Sequence, residues 1–162
     1  MKYFILAWII ACLLSGCGAR PAMETISDEL VQPAAAVQRE VYVELPGEAA
    51  VPAMESGSSR YYLCDDYEIS VETYPSGDLR STVQKLCGYV PEDLTVVETR
   101  QDGVQRYDFV WAAAGENGER LGRAAILDDG NYHYTLSVLR DADNTEKLQV
   151  VWRTVFESFR LA

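Results

Sequence analysis

Leu94 to Leu139 reads LTVVETRQDGVQRYDFVWAAAGENGERLGRAAILDDGNYHYTLSVL, and this stretch decides the fold. Three turn dipeptides punctuate it: Asp102-Gly103, Asn117-Gly118 and Asp129-Gly130. Asp-Gly and Asn-Gly suit the tight hairpin turn, in which both central residues need positive φ. The runs between them are rich in Val, Tyr, Phe, Trp and Thr, residues that pack well on a pleated surface. Together they predict a four-stranded antiparallel meander. Tyr107, Phe109 and Trp111 alternate on its longest strand and form a core stripe.

Working outward, REVYVEL (39–45) alternates, with Val41, Val43 and Leu45 on one face and Glu40, Tyr42 and Glu44 on the other. Pro46-Gly47 ends the run. ESGSSR (55–60) reads as a loop and YYLC (61–64) as the start of a short strand. YEISVET (67–73) alternates again, with Tyr67, Ile69 and Val71 opposite Glu68, Ser70 and Glu72. Period-two alternation with one polar face belongs to antiparallel sheet. Leu79, Val83, Leu86 and Cys87 fall on one helical face, with Ser76 or Asp78 to cap its start and Gly88 to close it. A last helix carries Leu148, Val151, Trp152, Val155, Phe156 and Phe159 as a wide apolar stripe. Asp143 and Glu146 stand at capping-box spacing before it. The expectation is that this helix lies on the aromatic face of the meander. The fold class is therefore α+β: one antiparallel sheet, a four-strand meander plus N-terminal strands, with a middle helix and a C-terminal amphipathic helix packed on it.

The N-terminus carries a different signal. Lys2 precedes the apolar run Tyr3 to Leu14, which is shorter than the roughly 20 residues a spanning helix needs. It fits the apolar region of a secretory signal. Leu14-Ser15-Gly16-Cys17 then resembles the lipobox of bacterial lipoproteins: aliphatic, small, small, cysteine. The resemblance implies cleavage between Gly16 and Cys17, and a diacylglycerol on the Cys17 sulfur. Residues 1–16 would be a lipoprotein signal peptide and 17–38 a lipidated N-terminus and flexible tether. A flexible chain of about 20 residues spans on the order of 25 Å. A short helix in ETISDELVQ (24–32) packed on the domain is the alternative. The domain proper would run over 39–162. The expected location is the cell membrane, lipid-anchored and facing outside the cytoplasm.

The order of elements over 39–162, closing on VFESFRL (155–161), is similar to the fold shared by the PsbP proteins of photosystems, the Ran-binding Mog family and DcrB-type bacterial lipoproteins. That resemblance implies action by binding and assembly, and brings no catalytic residues with it.

Composition narrows the function classes. The chain has 162 residues with 25 acidic and 14 basic side chains, a net charge of -11. A nucleic-acid partner would need clustered Lys and Arg, and the sequence has no such cluster. The acidity serves solubility. Of four cysteines, the lipobox resemblance implies that Cys12 would leave with the signal and Cys17 would carry lipid. Cys64 and Cys87 remain as a pair in an extracytoplasmic domain. A bridge between them would close a loop of about 24 residues, worth roughly 3 kcal/mol in the chain-entropy model. Two reduced thiols are the alternative.

Catalytic and metal motifs are wanting. His133 is the only histidine, alternates with Tyr132 and Tyr134, and is expected on the polar side of the sheet. Neither DDGN (128–131) nor DADNTE (141–146) follows the calcium-loop pattern, and a turn and a helix cap explain them. Asp65 and Asp66, read as strand neighbours, would point to opposite faces. GENGERLG (115–122) has glycines but no phosphate-loop lysine. No catalytic residue, metal ligand or cofactor is assigned. Tyr42, Tyr61, Tyr62 and Tyr74 are candidate outer-face contacts for a protein or glycan, or cover for the second sheet face. The leading function is a non-catalytic binding or scaffolding module of the cell envelope, with the membrane and an envelope protein as partners. The alternative is a small-ligand carrier with a pocket between the sheet and the C-terminal helix. The oligomeric state is left open.

Overall fold

The computed structural model describes residues 36–162, except 116–117 and 143–145 and the side chains of 146–148, 150 and 151. The expected signal peptide and nearly all of the expected tether, with Gly16 and Cys17, lie outside the described residues. So do Asn117 and the expected cap at Asp143.

The described strands are β1 (Val41–Tyr42), β2 (Met54–Ser56), β3 (Ser59–Leu63), β4 (Tyr67–Pro75), β5 (Val97–Gln101), β6 (Val104–Gly115), β7 (Gly118–Asp128), β8 (Tyr132–Asp141) and β9 (Arg160–Leu161). The helices are α1 (Leu79–Cys87) and α2 (Glu146–Ser158). Seven strands form one antiparallel sheet in the order β2-β3-β4-β8-β7-β6-β5, and β1 pairs with β9 in a separate two-stranded ribbon. The class is α+β, and the meander stands where the turn dipeptides put it.

Local chemistry explains each boundary. Asp102 and Gly103 have φ of 52° and 81°, so both central residues take the left-handed conformation that the β5–β6 hairpin requires. The Asp129 carboxylate accepts backbone N–H bonds from Asn131 and Tyr132 at 2.9 and 2.8 Å, and the Tyr134 hydroxyl at 3.0 Å. Burial pushes this carboxyl up, but the three hydrogen bonds outweigh it and hold its pKa below the ordinary range. Asp78, not Ser76, caps α1, accepting from the Arg80 N–H at 3.1 Å. Gly88 ends that helix with its N–H on the Gln84 carbonyl.

The strand REVYVEL is shorter than expected and leaves the main sheet. Only Val41 and Tyr42 pair, with Leu161 and Arg160. Its alternation still holds, because Val41, Val43 and Leu45 pack against the core. The segment ESGSSR is not a loop. It contributes most of a hairpin, with Glu55 opposite Arg60 and Ser56 opposite Ser59.

The sheet has two covered faces. On one, α2 brings Val155 and Phe156, and the following Phe159, onto Tyr67, Ile69, Val71, Leu136 and Val138. On the other, Val83 of α1 lies with Phe109, Trp111, Ala124 and Ile126. The aromatic stripe is thus under the middle helix, and the expectation that the C-terminal helix covers it is corrected. Alternation along β7 explains the division: Ala124 and Ile126 serve one face, Ala125 and Leu127 the other. Trp111 pairs with Gly122 across β6 and β7. A Cβ at Gly122 would stand 2.1 Å from the indole, so only glycine lets that ring lie on the strand.

Candidate functional site

Three places bring polar chemistry together. The first lies under α1, on the face the sequence presents as polar. His133 is only 1% exposed. Its Nδ1 lies 2.7 Å from the Thr82 hydroxyl, and its Nε2 lies 3.6 Å from the Asp128 carboxylate. His133 pairs with Asp128 on β7 and with Tyr74 on β4. Glu72, also buried, accepts the hydroxyl protons of Tyr61 and Tyr74, and the Thr135 hydroxyl donates to its carbonyl. Burial, and then the bond to Glu72, push the Tyr74 hydroxyl well above the ordinary phenol range. Lys85 of α1 sits over the Tyr74 ring at 5.0 Å. His133 does lie on the polar side of the sheet, as its alternation predicts, but that side is buried here under α1. A substrate atom could reach it only if α1 moved, and each polar atom named here has its partner inside the fold. This cluster ties α1 to the sheet.

The second is an open depression of about 490 Å³ lined by Cys64, Asp65, Asp66, Glu68, Arg120 and Asp141, among others. Asp65 and Asp66 occupy the turn between β3 and β4 rather than a strand, and both are exposed. Arg120 holds Glu68 at 3.0 Å and Asp141 at 3.3 Å, which neutralises part of the acidity. Among the described residues no group of three or more metal-ligating side chains is assembled.

The third is a recess of about 370 Å³ between the β5–β6 hairpin and the end of α2. Its walls combine Val104, Leu127, Phe159 and Leu161 with Thr99, Gln101, Asp102, Glu157 and three arginines, Arg39, Arg106 and Arg160. Arg106 is fixed in place. It binds Asp108 through two nitrogens at 2.6 and 2.9 Å and donates to the Phe156 and Phe159 carbonyls at 3.0 and 3.3 Å. A cation is well placed at these carbonyls, where the helix end carries partial negative charge. Arg160 stacks on the Tyr42 ring at 3.9 Å. Arg39 anchors the chain entry, its N–H on the Tyr134 hydroxyl at 2.8 Å. In a chain this acidic, three arginines around one hollow make a local exception. Sequence reading missed it because positions 39, 106 and 160 converge only in the fold.

Comparison with known proteins gives the fold a neighbour. No family model matches this chain, and no curated protein does. Among solved structures the fold is similar to LpqN of Mycobacterium tuberculosis. The match has a TM-score of 0.53 and 11% identity, over 77% of this chain and 84% of that one. LpqN is described as involved in cell envelope biogenesis. At this identity the likeness concerns the fold alone.

The remaining expected residues are placed as follows. The expected Cys64–Cys87 bridge is not formed, and both are free thiols. The reason is topological: Cys64 packs against the cluster under α2 and Cys87 against the cluster under α1, on opposite faces of the sheet. The Cys87 thiol is directed at the Val83 carbonyl, 3.2 Å away, and burial pushes its pKa up. Of the candidate tyrosines, Tyr62 is in the core, Tyr61 and Tyr74 are engaged by Glu72, and Tyr42 is exposed. They do not make a flat exposed patch. No described helix is long and apolar enough to cross a membrane.

Proposed function

We propose that this chain is a lipid-anchored lipoprotein, held on the outer side of the cell membrane, whose domain is a non-catalytic binding or scaffolding module of the cell envelope. The observation that carries the proposal is Leu14-Ser15-Gly16-Cys17 at the end of a twelve-residue apolar run. A diacylglyceryl cysteine carries two acyl chains, and each buried methylene contributes about 0.8 kcal/mol, so two chains anchor where one holds marginally. The α+β domain after the tether supports the same reading, since its fold neighbour LpqN belongs to envelope biogenesis. We read the domain as PsbP-, Mog- and DcrB-like in its order of elements, folds that serve binding and assembly. The test is cell fractionation. The wild type is expected in the membrane fraction and the Cys17→Ala variant largely in the soluble or unprocessed form. Equal distribution of the two would refute the anchor.

A second reading, a small-ligand carrier, has the arginine-rimmed recess in its favour. Its volume lies near the lower end of the range for ligand sites, about 300–1,000 Å³. Apolar walls with three arginines against two carboxylates, Asp102 and Glu157, suit an anionic amphiphile. Anilinonaphthalene sulfonate is the probe: this reading expects saturable binding at one site, weakened by Arg160→Glu. Binding that fails to saturate, or is indifferent to Arg160→Glu, would remove it.

A further inference from the structure

We infer that β5 is a self-recognition edge, by which two copies of this chain join antiparallel through their outer strands. Among the described residues the sheet ends in β2 on one side and β5 on the other. The two edges differ. β2 has three residues and follows Pro52 closely, which limits what can pair with it. β5 has five residues, Val-Glu-Thr-Arg-Gln, all exposed, with no proline and no bulge in its pairing to β6.

The register of β5 determines which backbone groups are open. Gln101 and Val104 close a two-residue turn, so the Gln101 carbonyl points at β6. Backbone groups alternate direction along a strand. Val97, Thr99 and Gln101 therefore bond to β6, while Glu98 and Arg100 direct their N–H and C=O groups outward. Two β5 strands placed antiparallel about a twofold axis at Thr99 bring Glu98 of each copy opposite Arg100 of the other. Those two pairs are the hydrogen-bonded ones, giving four backbone bonds between copies. Each pair also opposes a carboxylate and a guanidinium. Registers centred on Glu98 or on Arg100 satisfy backbone bonds too, but set like charges face to face, which is unfavourable. Only the Thr99-centred register satisfies both backbone and charge. Charges on an edge strand ordinarily repel other strands. Here their order, Glu-x-Arg, is self-complementary in the antiparallel register, so the charges that guard the edge against other strands favour a second copy of it.

The arrangement is isologous, the commonest symmetry of homo-oligomers. It also accounts for Val97, 56% exposed on the face that α2 covers elsewhere, since Val97 would stand beside Gln101 of the second copy. A shared membrane surface would raise the effective concentration of copies, but the geometry does not depend on the anchor.

Site-directed crosslinking of the full-length chain tests the register. Opposed Thr99 residues form a non-hydrogen-bonded pair with Cα atoms about 4.5 Å apart, within disulfide reach. Cysteines at 97 and 97 of the two copies would stand roughly 14 Å apart. Under copper-phenanthroline oxidation, Thr99→Cys is expected to give a band of twice the monomer mass, at least about tenfold above the wild type, Val97→Cys and Gln101→Cys. Adding Glu98→Arg to Thr99→Cys should reduce that band roughly tenfold, and adding Arg100→Glu as well should restore it. Equal bands from the three single-cysteine variants, or no recovery in the charge swap, would overturn the inference. So would a Thr99→Cys adduct with a different protein. All five positions are exposed, and circular dichroism confirms that the variants are folded.

Discussion

The two faces of the sheet are both buried, but they are buried by different means. Under α2 the core is aliphatic and aromatic, Ile69, Val71, Leu136, Val138, Val155, Phe156 and Phe159, and the Arg123 and Arg140 guanidinium groups lie over the Phe156 and Trp152 rings. Under α1 the aromatic stripe of β6 covers one half. The other half holds His133, Thr135, Glu72 and Thr82, all buried and polar. The first face is held by area removed from water, which is additive and tolerant. The second depends on each polar group keeping its partner, because an unpaired buried group costs its full desolvation. The difference teaches that a polar-looking strand face need not be a wet one.

The largest expected effect tests the apolar face. Phe156 is 1% exposed, with the Arg123 guanidinium 4.1 Å above its ring and Trp152 at its edge. Phe156→Ala should cost about 3–5 kcal/mol, read by urea denaturation. A loss under about 1 kcal/mol would mean that α2 is not seated as described. Next comes the close approach on the opposite face. Gly122→Ala must displace the Trp111 indole, and overpacking of this kind costs about 1–3 kcal/mol. The displacement should also change Trp fluorescence and near-ultraviolet dichroism, and unchanged spectra would contradict it. The smallest of the three probes the polar cluster. Thr82→Val keeps the shape but leaves His133 Nδ1 without its hydroxyl, with an expected loss of about 1–2 kcal/mol. Thr82→Ser should restore most of it. If valine and serine behave alike, the hydrogen bond contributes nothing and the contrast between the faces is overstated.

These contrasts mark what a sequence shows and what it hides. The meander was legible because Asp102-Gly103 takes the positive φ its hairpin requires; at Asp129-Gly130 only the glycine does, and the Asp129 carboxylate holds that turn through backbone N–H groups. Helix α1 was legible through Asp78, Gly88 and the spacing of Leu79, Val83 and Leu86. Which helix covers which face was not, because that depends on the long-range pairing of β4 with β8, and no local signal carries it. The burial of His133 on its polar side was hidden for the same reason: its partner there is Thr82, fifty-one positions away. The pairing of Cys64 with Cys87 failed on topology, since parity says nothing about which side of a sheet a side chain takes. The arginine-rimmed recess was invisible because its three cations are scattered in sequence. The exposed edge of β5 became meaningful only once Gln101 and Val104 fixed the direction of its backbone groups.

The proposed function stands or falls on the lipid anchor at Cys17. Mass spectrometry of the N-terminal peptide from membrane-extracted protein tests that most directly. The expected result is a peptide beginning at Cys17 and carrying diacylglycerol on its sulfur, with Gly16 absent. A mature chain that begins elsewhere, or a Cys17 found unmodified, would contradict it.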